Sequence, residues 1–352
     1  MDIAIVGASG DVGRQIAARM VARAVLSRHE RLQLVGRRDS ASASTLEGFA
    51  GDLLDAYAEK APLIDIALDP EELAADLIVF CAGETIPTDP SAVYSRSDLA
   101  RRNAAVFHTY ARALAECGSG HELVLVVSNP VELGVAVFAR WLGRQRAFGM
   151  GAYLDTMRFR EEVAACLRLS RGHVAGFMGG EHGDRLVPFW STVRVFGFTP
   201  EERAEALDRI RRGHRTERFA EELAAEKERA LAIAREGRMR DAFAYANGLP
   251  PDFRVAIKPF LIHVSGSKTV LGTAEAVAEL IECVAGGAEV VVCGQTVLEG
   301  EYGVEGSVGV PFVLSNAGVE RVVEFDLLPE ERAALRTAAE AVRSRCAPFL
   351  EA

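Results

Sequence analysis

A glycine-rich loop directly after the first apolar segment limits the folds that this chain can adopt. Residues 3–6 are entirely apolar, and residues 7–13 read Gly-Ala-Ser-Gly-Asp-Val-Gly. Glycines at this spacing permit a tight turn, close approach of a pyrophosphate, and close packing of helix on strand. The loop therefore predicts a strand–loop–helix unit that binds a dinucleotide, although a purely structural turn is the alternative. The candidate contacts are Gly7, Ser9, Gly10, Asp11, Val12 and Gly13.

Short apolar segments alternate with helix-length amphipathic segments through the first half of the chain. The predicted strands are Ile3–Val6, Leu32–Val35, Ile64–Leu68, Leu77–Cys81 and Leu123–Val127. Fully apolar strands separated by helices are typical of a parallel sheet that is buried on both faces. With right-handed crossovers, this pattern predicts an α/β fold built on a doubly wound parallel Rossmann sheet. We assign residues 1–150 to this dinucleotide-binding domain.

The pattern changes after about residue 150, where helices and strands no longer alternate regularly. A helix at Thr156–Leu169 precedes strand-like segments around Val174–Phe177 and Thr192–Phe198, and a long charged helical region extends from Pro200 to about Ala246. Later strands are predicted near Glu289–Cys293, Gly309–Leu314 and Val319–Phe325, before a last helix at Pro329–Cys346. We therefore predict an α+β substrate/catalytic domain over residues 151–352.

Composition excludes several classes of protein. The 352 residues carry a formal charge of −10, which argues against a nucleic-acid partner. Apolar segments are too short or too interrupted to cross a membrane, and no basic region precedes the first strand. The six cysteines form no Cys-x-x-Cys pair, and the histidines have no metal-like spacing. We expect a protein of the reducing cytoplasm without a bound metal.

The end of the second predicted strand bears on the choice of cofactor. An Asp or Glu usually stands there when the cofactor ribose has a free 2′-hydroxyl. Here the strand ends in Gly36, Arg37 and Arg38, and guanidinium groups suit a 2′-phosphate. We therefore expect NADP(H) in preference to NAD(H), unless the two arginines are only surface charges.

Three polar stretches coincide with strand ends or their connections, where ligands bind in doubly wound sheets. They contain Ser128 and Asn129, then Asp155 and Arg158, then His182 within Gly-Glu-His-Gly-Asp. Reduction of a ketone by hydride needs a proton donor, which a histidine can supply near neutral pH. A carboxylate behind that histidine would hold its tautomer, and a fixed arginine would bind a substrate carboxylate.

With these residues in place, the sequence resembles the lactate/malate dehydrogenase family over almost its whole length. The matching stretches are the 7–13 loop, Ser128-Asn129-Pro130, Leu154-Asp155-x-x-Arg158, Gly180-Glu181-His182-Gly183-Asp184, and residues 298–304 and 308–311. The glycine loop and the Val-Gly-Arg strand end most resemble the archaeal malate dehydrogenases that accept NADP. The resemblance implies a homodimer or homotetramer that acts on a small 2-oxo or 2-hydroxy acid.

The resemblance also implies a role for each matching residue. His182 would be the general acid/base with Asp155 as its partner, and Arg158 would bind the substrate carboxylate. Arg96 would polarise the carbonyl, although Arg101 and Arg102 lie nearby in the sequence. Asn129 would contact substrate and nicotinamide. Thr269 would lie beside the substrate side chain, and the remaining cofactor candidates are Ala82, Gly83, Asn103 and Ser128.

Two segments depart from the family pattern. Residues 84–95 look longer than the usual mobile loop and contain no basic residue ahead of Arg96. A dicarboxylate would then bury an unpaired charge, so the substrate is open and malate is in doubt. The segment of residues 219–265 also looks longer than the corresponding segment of the family. Their charged part is expected to be a solvated helix face, whereas 247–260 could form a lid or a subunit contact.

Two other functional hypotheses remain beside the dehydrogenase. The chain could be a catalytically inactive nucleotide-binding protein that senses redox state or supports an assembly. It could also share the fold with NAD-using glycoside hydrolases, but the metal-binding Cys and His arrangement of those enzymes is absent. Retention of His182, Asp155, Arg158 and Arg96 favours the dehydrogenase over the inactive protein.

Overall fold

One mixed sheet extends through both halves of the protein in the computed structural model. The structure describes residues 1–38, 41–85 and 96–351, with the backbone only for residues 96 and 97. The strands are β1 (Ile3–Val6), β2 (Arg31–Val35), β3 (Leu63–Ala67), β4 (Leu77–Phe80), β5 (Leu123–Val126), β6 (Ala147–Gly149), β7 (Val174–Gly180), β8 (Leu186–Val195), β9 (Val290–Glu299), β10 (Glu305–Ser315) and β11 (Gly318–Val322). The helices are α1 (Asp11–Ala22), α2 (Ser42–Ala56), α3 (Arg96–Cys117), α4 (Val131–Leu142), α5 (Gly151–Leu167), α6 (Pro200–Arg211), α7 (Phe219–Arg235), α8 (Met239–Asn247), α9 (Pro251–Val264), α10 (Val270–Gly286) and α11 (Pro329–Cys346).

The strand order confirms the predicted fold class. The order is β3-β2-β1-β4-β5-β6-β9-β10-β7-β8, with β11 paired to β10. The strands from β3 to β6 are parallel, and the strands of the second half pair antiparallel. The first six strands thus have the order of a doubly wound dinucleotide-binding sheet, in which ligands bind at the carboxyl ends.

The apolar strands form because helices cover both faces of the sheet. Successive side chains of a strand point to opposite faces. In β1, Ile3 and Ile5 belong to one buried cluster, whereas Ala4 and Val6 belong to the cluster on the other face. All four side chains are inaccessible to solvent, so this strand has no polar face.

The second half continues the sheet of the first. Gly149 of β6 pairs with Gln295 of β9, and α10 packs against α1. An ion pair of 3.1 Å between Arg19 and Glu275 reinforces that helix contact. The predicted boundary near residue 150 therefore falls within a continuous sheet, and the division into two domains stays a prediction.

The second half differs in detail from the sequence-based expectation. Strand β8 begins at Leu186, six residues before the expected start, and the short strand β6 was not expected. The predicted charged helical region from Pro200 to about Ala246 contains three helices, α6, α7 and α8. Gly213 and Gly237, both with positive φ, lie in the breaks between them, where a helix cannot continue.

Candidate active site

Four of the predicted catalytic and substrate-binding residues lie together at the carboxyl edge of the parallel strands. Asn129 follows β5, Asp155 and Arg158 lie on α5, and His182 lies in the turn between β7 and β8. Asn129, Asp155, Arg158 and His182 all line one cavity of about 570 Å³. Three segments that are distant in sequence therefore meet at one site.

His182 and Asp155 form a closely hydrogen-bonded pair. The Nδ1 atom of His182 lies 2.7 Å from Oδ2 of Asp155, whose side chain is only 2 % exposed. Burial disfavours the imidazolium, but the charge and hydrogen bond of Asp155 outweigh it, and the His182 pKa is raised above its ordinary value. With Nδ1 bonded to Asp155, Nε2 is the nitrogen left to exchange a proton in the cavity.

Arg158 stands one helical turn from Asp155, so the two side chains share a face of α5. Its guanidinium donates a hydrogen bond of 3.3 Å to Oδ1 of Asp155. Burial lowers the Arg158 pKa, and Asp155 partly opposes that change. The guanidinium also lines the cavity beside His182, so it can meet an anionic ligand there.

Sequence reasoning missed the role of Glu132, a buried acid in the second position of α4. Its Oε1 accepts hydrogen bonds from the backbone N–H of His182 (2.8 Å) and from Nε2 of Gln295 (3.1 Å). Burial, with the nearby charge of Glu181, raises the Glu132 pKa. The signal was present in the sequence, because Glu132 is a single carboxylate within the apolar helix segment 131–139. Such residues are rarely buried unless they are paired.

Hydrogen bonds of Asn103 and Ser128 connect the loops that follow β4 and β5. Both residues were predicted to contact the cofactor. Asn103 donates to the carbonyl of Asn129 (2.6 Å) and accepts from the backbone N–H of Glu84 (2.8 Å). The hydroxyl of Ser128 donates to the carbonyl of Ala82 (2.6 Å). Gly83 has φ +136°, and a Cβ there would lie 2.8 Å from Oδ1 of Asn103.

The glycine loop is packed too closely for side chains at its first and last glycines. A Cβ on Gly7 would lie 2.8 Å from the backbone nitrogen of Ala82, and one on Gly13 would lie 2.5 Å from the carbonyl oxygen of Gly7. Gly10 immediately precedes α1, whose first N–H groups have no partner within the helix. Val12 lines the cavity, and Asp11 pairs with Lys268 at 2.9 Å. Bare backbone and an open helix N-terminus fit a dinucleotide pyrophosphate.

The two arginines after β2 have different surroundings. Arg38 forms exposed ion pairs with Asp69 (2.5 Å) and Glu72 (2.9 Å). The backbone of Arg37 exchanges hydrogen bonds of 2.9 Å with the Ser42 hydroxyl. At Gly36, a Cβ would lie 2.7 Å from the Leu46 side chain, so only glycine fits there without a shift. To bind a phosphate, the Arg38 guanidinium would have to give up its ion pairs with Asp69 and Glu72.

Of the remaining predicted residues, the structure places Thr269 directly before α10, where it lines the cavity. The side chain of Arg96 lies outside the described residues, as does most of the 84–95 loop. The long 219–265 segment contains α7, α8 and α9, and α9 forms an apolar wall of the cavity. That wall consists of Val255, Ala256, Pro259 and Phe260.

Comparison with known proteins identifies the class. Residues 1–148 match the NAD-binding domain of the lactate/malate dehydrogenases, and residues 261–351 match the α/β C-terminal domain of the same family. The chain therefore belongs to the lactate/malate dehydrogenase family, and its nucleotide site is of the NAD-binding type.

Individual relatives cover nearly the full chain. A malate dehydrogenase from Halobacterium salinarum is 29% identical over 343 residues, 96% of each chain. An L-2-hydroxycarboxylate dehydrogenase (NAD(P)(+)) from Methanocaldococcus jannaschii is 26% identical and covers 98% of each chain. The minor L-lactate dehydrogenase of Enterococcus mundtii has the same fold, with a TM-score of 0.75 over 99% of this chain and 98% of its own, at 24% identity.

Two other features are absent from the part of the chain that the structure describes. Within residues 1–38, 41–85 and 96–351, no helix is both long and apolar enough to cross a membrane. The same ranges contain no group of three or more His, Cys, Asp or Glu side chains arranged to hold a metal ion.

Proposed function

We propose that this protein transfers a hydride between a nicotinamide cofactor and C2 of a 2-hydroxy or 2-oxo acid, with NADP(H) preferred over NAD(H). The observation that carries the proposal is the His182–Asp155 pair at 2.7 Å, beside Arg158 in a cavity that also reaches the glycine-loop residue Val12. A general acid, an anion-binding arginine and a dinucleotide cleft are the three parts that reduction of a 2-oxo acid requires.

Three side chains, Arg158, His182 and Asp155, would have separate roles in the proposed reaction. The bound nicotinamide supplies or accepts the hydride. Arg158 binds the C1 carboxylate of the substrate and so fixes the position of C2. His182 donates a proton from Nε2 to the carbonyl oxygen during reduction and takes it back during oxidation. Asp155 stabilises the imidazolium form and holds the ring in place.

The cofactor preference rests on what stands at the end of β2. The strand continues into Gly36, Arg37 and Arg38 and not directly into the acid that usually binds a free 2′-hydroxyl, so two guanidinium groups follow it. Asp69 and Glu72 already form ion pairs with Arg38 and would compete with a 2′-phosphate. This competition lowers the preference expected for NADP(H) over NAD(H).

On the family pattern, we further propose a cytoplasmic homodimer or homotetramer with a dinucleotide-binding domain over residues 1–150 and a substrate domain over 151–352. The substrate side chain is proposed to lie between Thr269 and the α9 wall of the cavity. Light scattering at micromolar concentration gives the oligomeric state directly, and a monomer would contradict that part of the proposal.

The function is tested by kcat/KM for a panel of 2-oxo acids, each with NADPH and with NADH, in the wild type and in His182→Asn. We expect the wild type to reduce at least one 2-oxo acid, with the higher kcat/KM for NADPH. The variant should bind cofactor with unchanged affinity and lose about 10²–10⁴-fold in turnover, since it lacks the proton donor. Cofactor binding without reduction of any 2-oxo acid would instead favour an inactive nucleotide-binding protein.

A further inference from the structure

Lys268 reaches from the second half of the chain to the start of the helix that follows the glycine loop. It lies in the connection between α9 and α10, two residues before α10 begins. Its Nζ atom is 2.9 Å from Oδ2 of Asp11, the first residue of α1. Lys268 also lines the large cavity together with Val12. A lysine from a distant segment therefore stands at the helix terminus that fits a pyrophosphate.

Two further ion pairs show that α1 and α10 lie side by side and run in the same direction. Arg19 pairs with Glu275 at 3.1 Å, and Arg23, directly after α1, pairs with Glu282 at 3.0 Å. The residue numbers of both partners increase together from one pair to the next, and the Lys268 pair begins the series. The N-termini of the two helices therefore lie at the same end, beside the glycine loop.

A lysine is an unusual residue for this location. The N-terminus of a helix carries a partial positive charge, which favours an anion nearby and disfavours a cation. An ammonium group beside two helix N-termini therefore needs negative charge close to it. Asp11 supplies one carboxylate. A dianionic pyrophosphate at the first N–H groups of α1 would supply more.

The ion pair of Lys268 and Asp11 leaves room for a further ligand. Both side chains are open to solvent, with 46% of Lys268 and 66% of Asp11 exposed. Such an exposed ion pair is weak, so the ammonium group can move at little cost. It has three N–H donors and can bind a carboxylate and a phosphate oxygen together. Without this cation, the Asp11 carboxylate would repel a pyrophosphate bound at the start of α1.

We propose that Lys268 binds the pyrophosphate of the cofactor and bridges it to Asp11. This inference rests on the part of the proposed function that places a nicotinamide dinucleotide in the cleft. It adds a binding residue that lies outside both the glycine loop and the predicted dinucleotide-binding domain. Because NADPH and NADH share the pyrophosphate, Lys268 should strengthen the binding of both equally and take no part in the choice between them.

The test measures the dissociation constants of NADPH and NADH by titration calorimetry, without a 2-oxo acid. The variants are Lys268→Met, Asp11→Asn and the double variant, with Arg23→Met as a control that removes an ion pair at the far end of α1. Lys268→Met should raise both dissociation constants about 10-fold, the low end for a hydrogen bond between charged groups, because the site is exposed. The same replacement should still weaken binding about 10-fold when Asn stands at position 11, and Arg23→Met should bind like the wild type.

The double variant distinguishes a direct contact from neutralisation of Asp11. If Lys268→Met weakens binding in the wild type but not in the Asp11→Asn protein, Lys268 only screens Asp11 and the proposal is wrong. Unchanged dissociation constants in Lys268→Met would also overturn it, and a loss confined to NADPH would assign Lys268 to the 2′-phosphate instead. These results leave the proposed function standing, because the wild type still binds cofactor. A wild type that binds neither NADPH nor NADH would remove the proposed function and this inference together.

Discussion

Among single residues, the proposed reaction depends most on how Asp155 sets the protonation of His182. Replacing Asp155 with Asn removes the charge that favours the imidazolium, so the pKa of His182 should fall. Reduction requires protonated His182 and therefore declines as pH rises through that pKa. We expect the decline in kcat/KM for 2-oxo acid reduction to move to lower pH in Asp155→Asn, with a large fall in the maximum rate.

The pH profile of kcat/KM measures this shift directly. Glu132 and Arg158 also face His182 and remain in the variant, so the change reports on Asp155 alone. An unchanged profile would mean that Asp155 does not control the proton donor.

Glu132 is expected to hold the catalytic turn in place. In Glu132→Ala, the backbone N–H of His182 and the amide of Gln295 lose their acceptor, which should cost about 2–5 kcal/mol of unfolding free energy. Glu132→Gln keeps an acceptor oxygen and should cost about 1 kcal/mol or less. Urea denaturation measures both, and equal stability of the two variants would contradict this role.

Among the structural elements, the glycine loop contains one glycine that the packing requires, Gly13, and one that cofactor binding is expected to require, Gly10. A Cβ at Gly13 would lie 2.5 Å from the Gly7 carbonyl oxygen, whereas the nearest atom to a Cβ at Gly10 is at 3.4 Å. Gly13→Ala should therefore lower the melting temperature of the cofactor-free protein. Gly10→Ala should leave that temperature almost unchanged and weaken cofactor binding.

Calorimetry of the cofactor-free protein and titration with NADPH distinguish the two effects. If Gly13→Ala melts like the wild type, the loop does not pack against the start of α1 as described. If Gly10→Ala binds NADPH normally, the pyrophosphate does not approach this backbone.

The elements also show what the sequence could predict. Strands β1 and β5 are apolar throughout because helices cover both faces of the sheet, and this pattern suffices to predict buried parallel strands. Helix α9 was not predicted, because Pro250, Pro251 and Pro259 indicate a loop when tertiary contacts are unknown. In the structure Pro251 begins the helix, a position where proline is tolerated, and the apolar face packs on α5 and α7.

The same limit applies to the site. His182, Asp155 and Arg158 could be found because each belongs to a short motif. Glu132 contacts His182, a residue 50 positions away, and no local pattern encodes that contact.

At the scale of the whole molecule, the continuous sheet should make the two halves unfold together. The pairing of β6 with β9 and the contact of α1 with α10 join the first half of the chain to the second. We expect one calorimetric transition, which moves to higher temperature as a whole when NADPH is added, because the cofactor binds only the folded state. Two transitions, only one of them sensitive to NADPH, would indicate independent domains.

The proposed function requires a hydride to pass between the nicotinamide and C2 of a 2-oxo acid. The most direct measurement uses NADPH deuterated at the transferring position of C4, with the best 2-oxo acid of the panel, and mass spectrometry of the product. We expect a 2-hydroxy acid with one deuterium on C2 in the wild type, and little or no product in His182→Asn. Product without deuterium in either stereospecifically labelled form of the cofactor, or undiminished product in the variant, would contradict it.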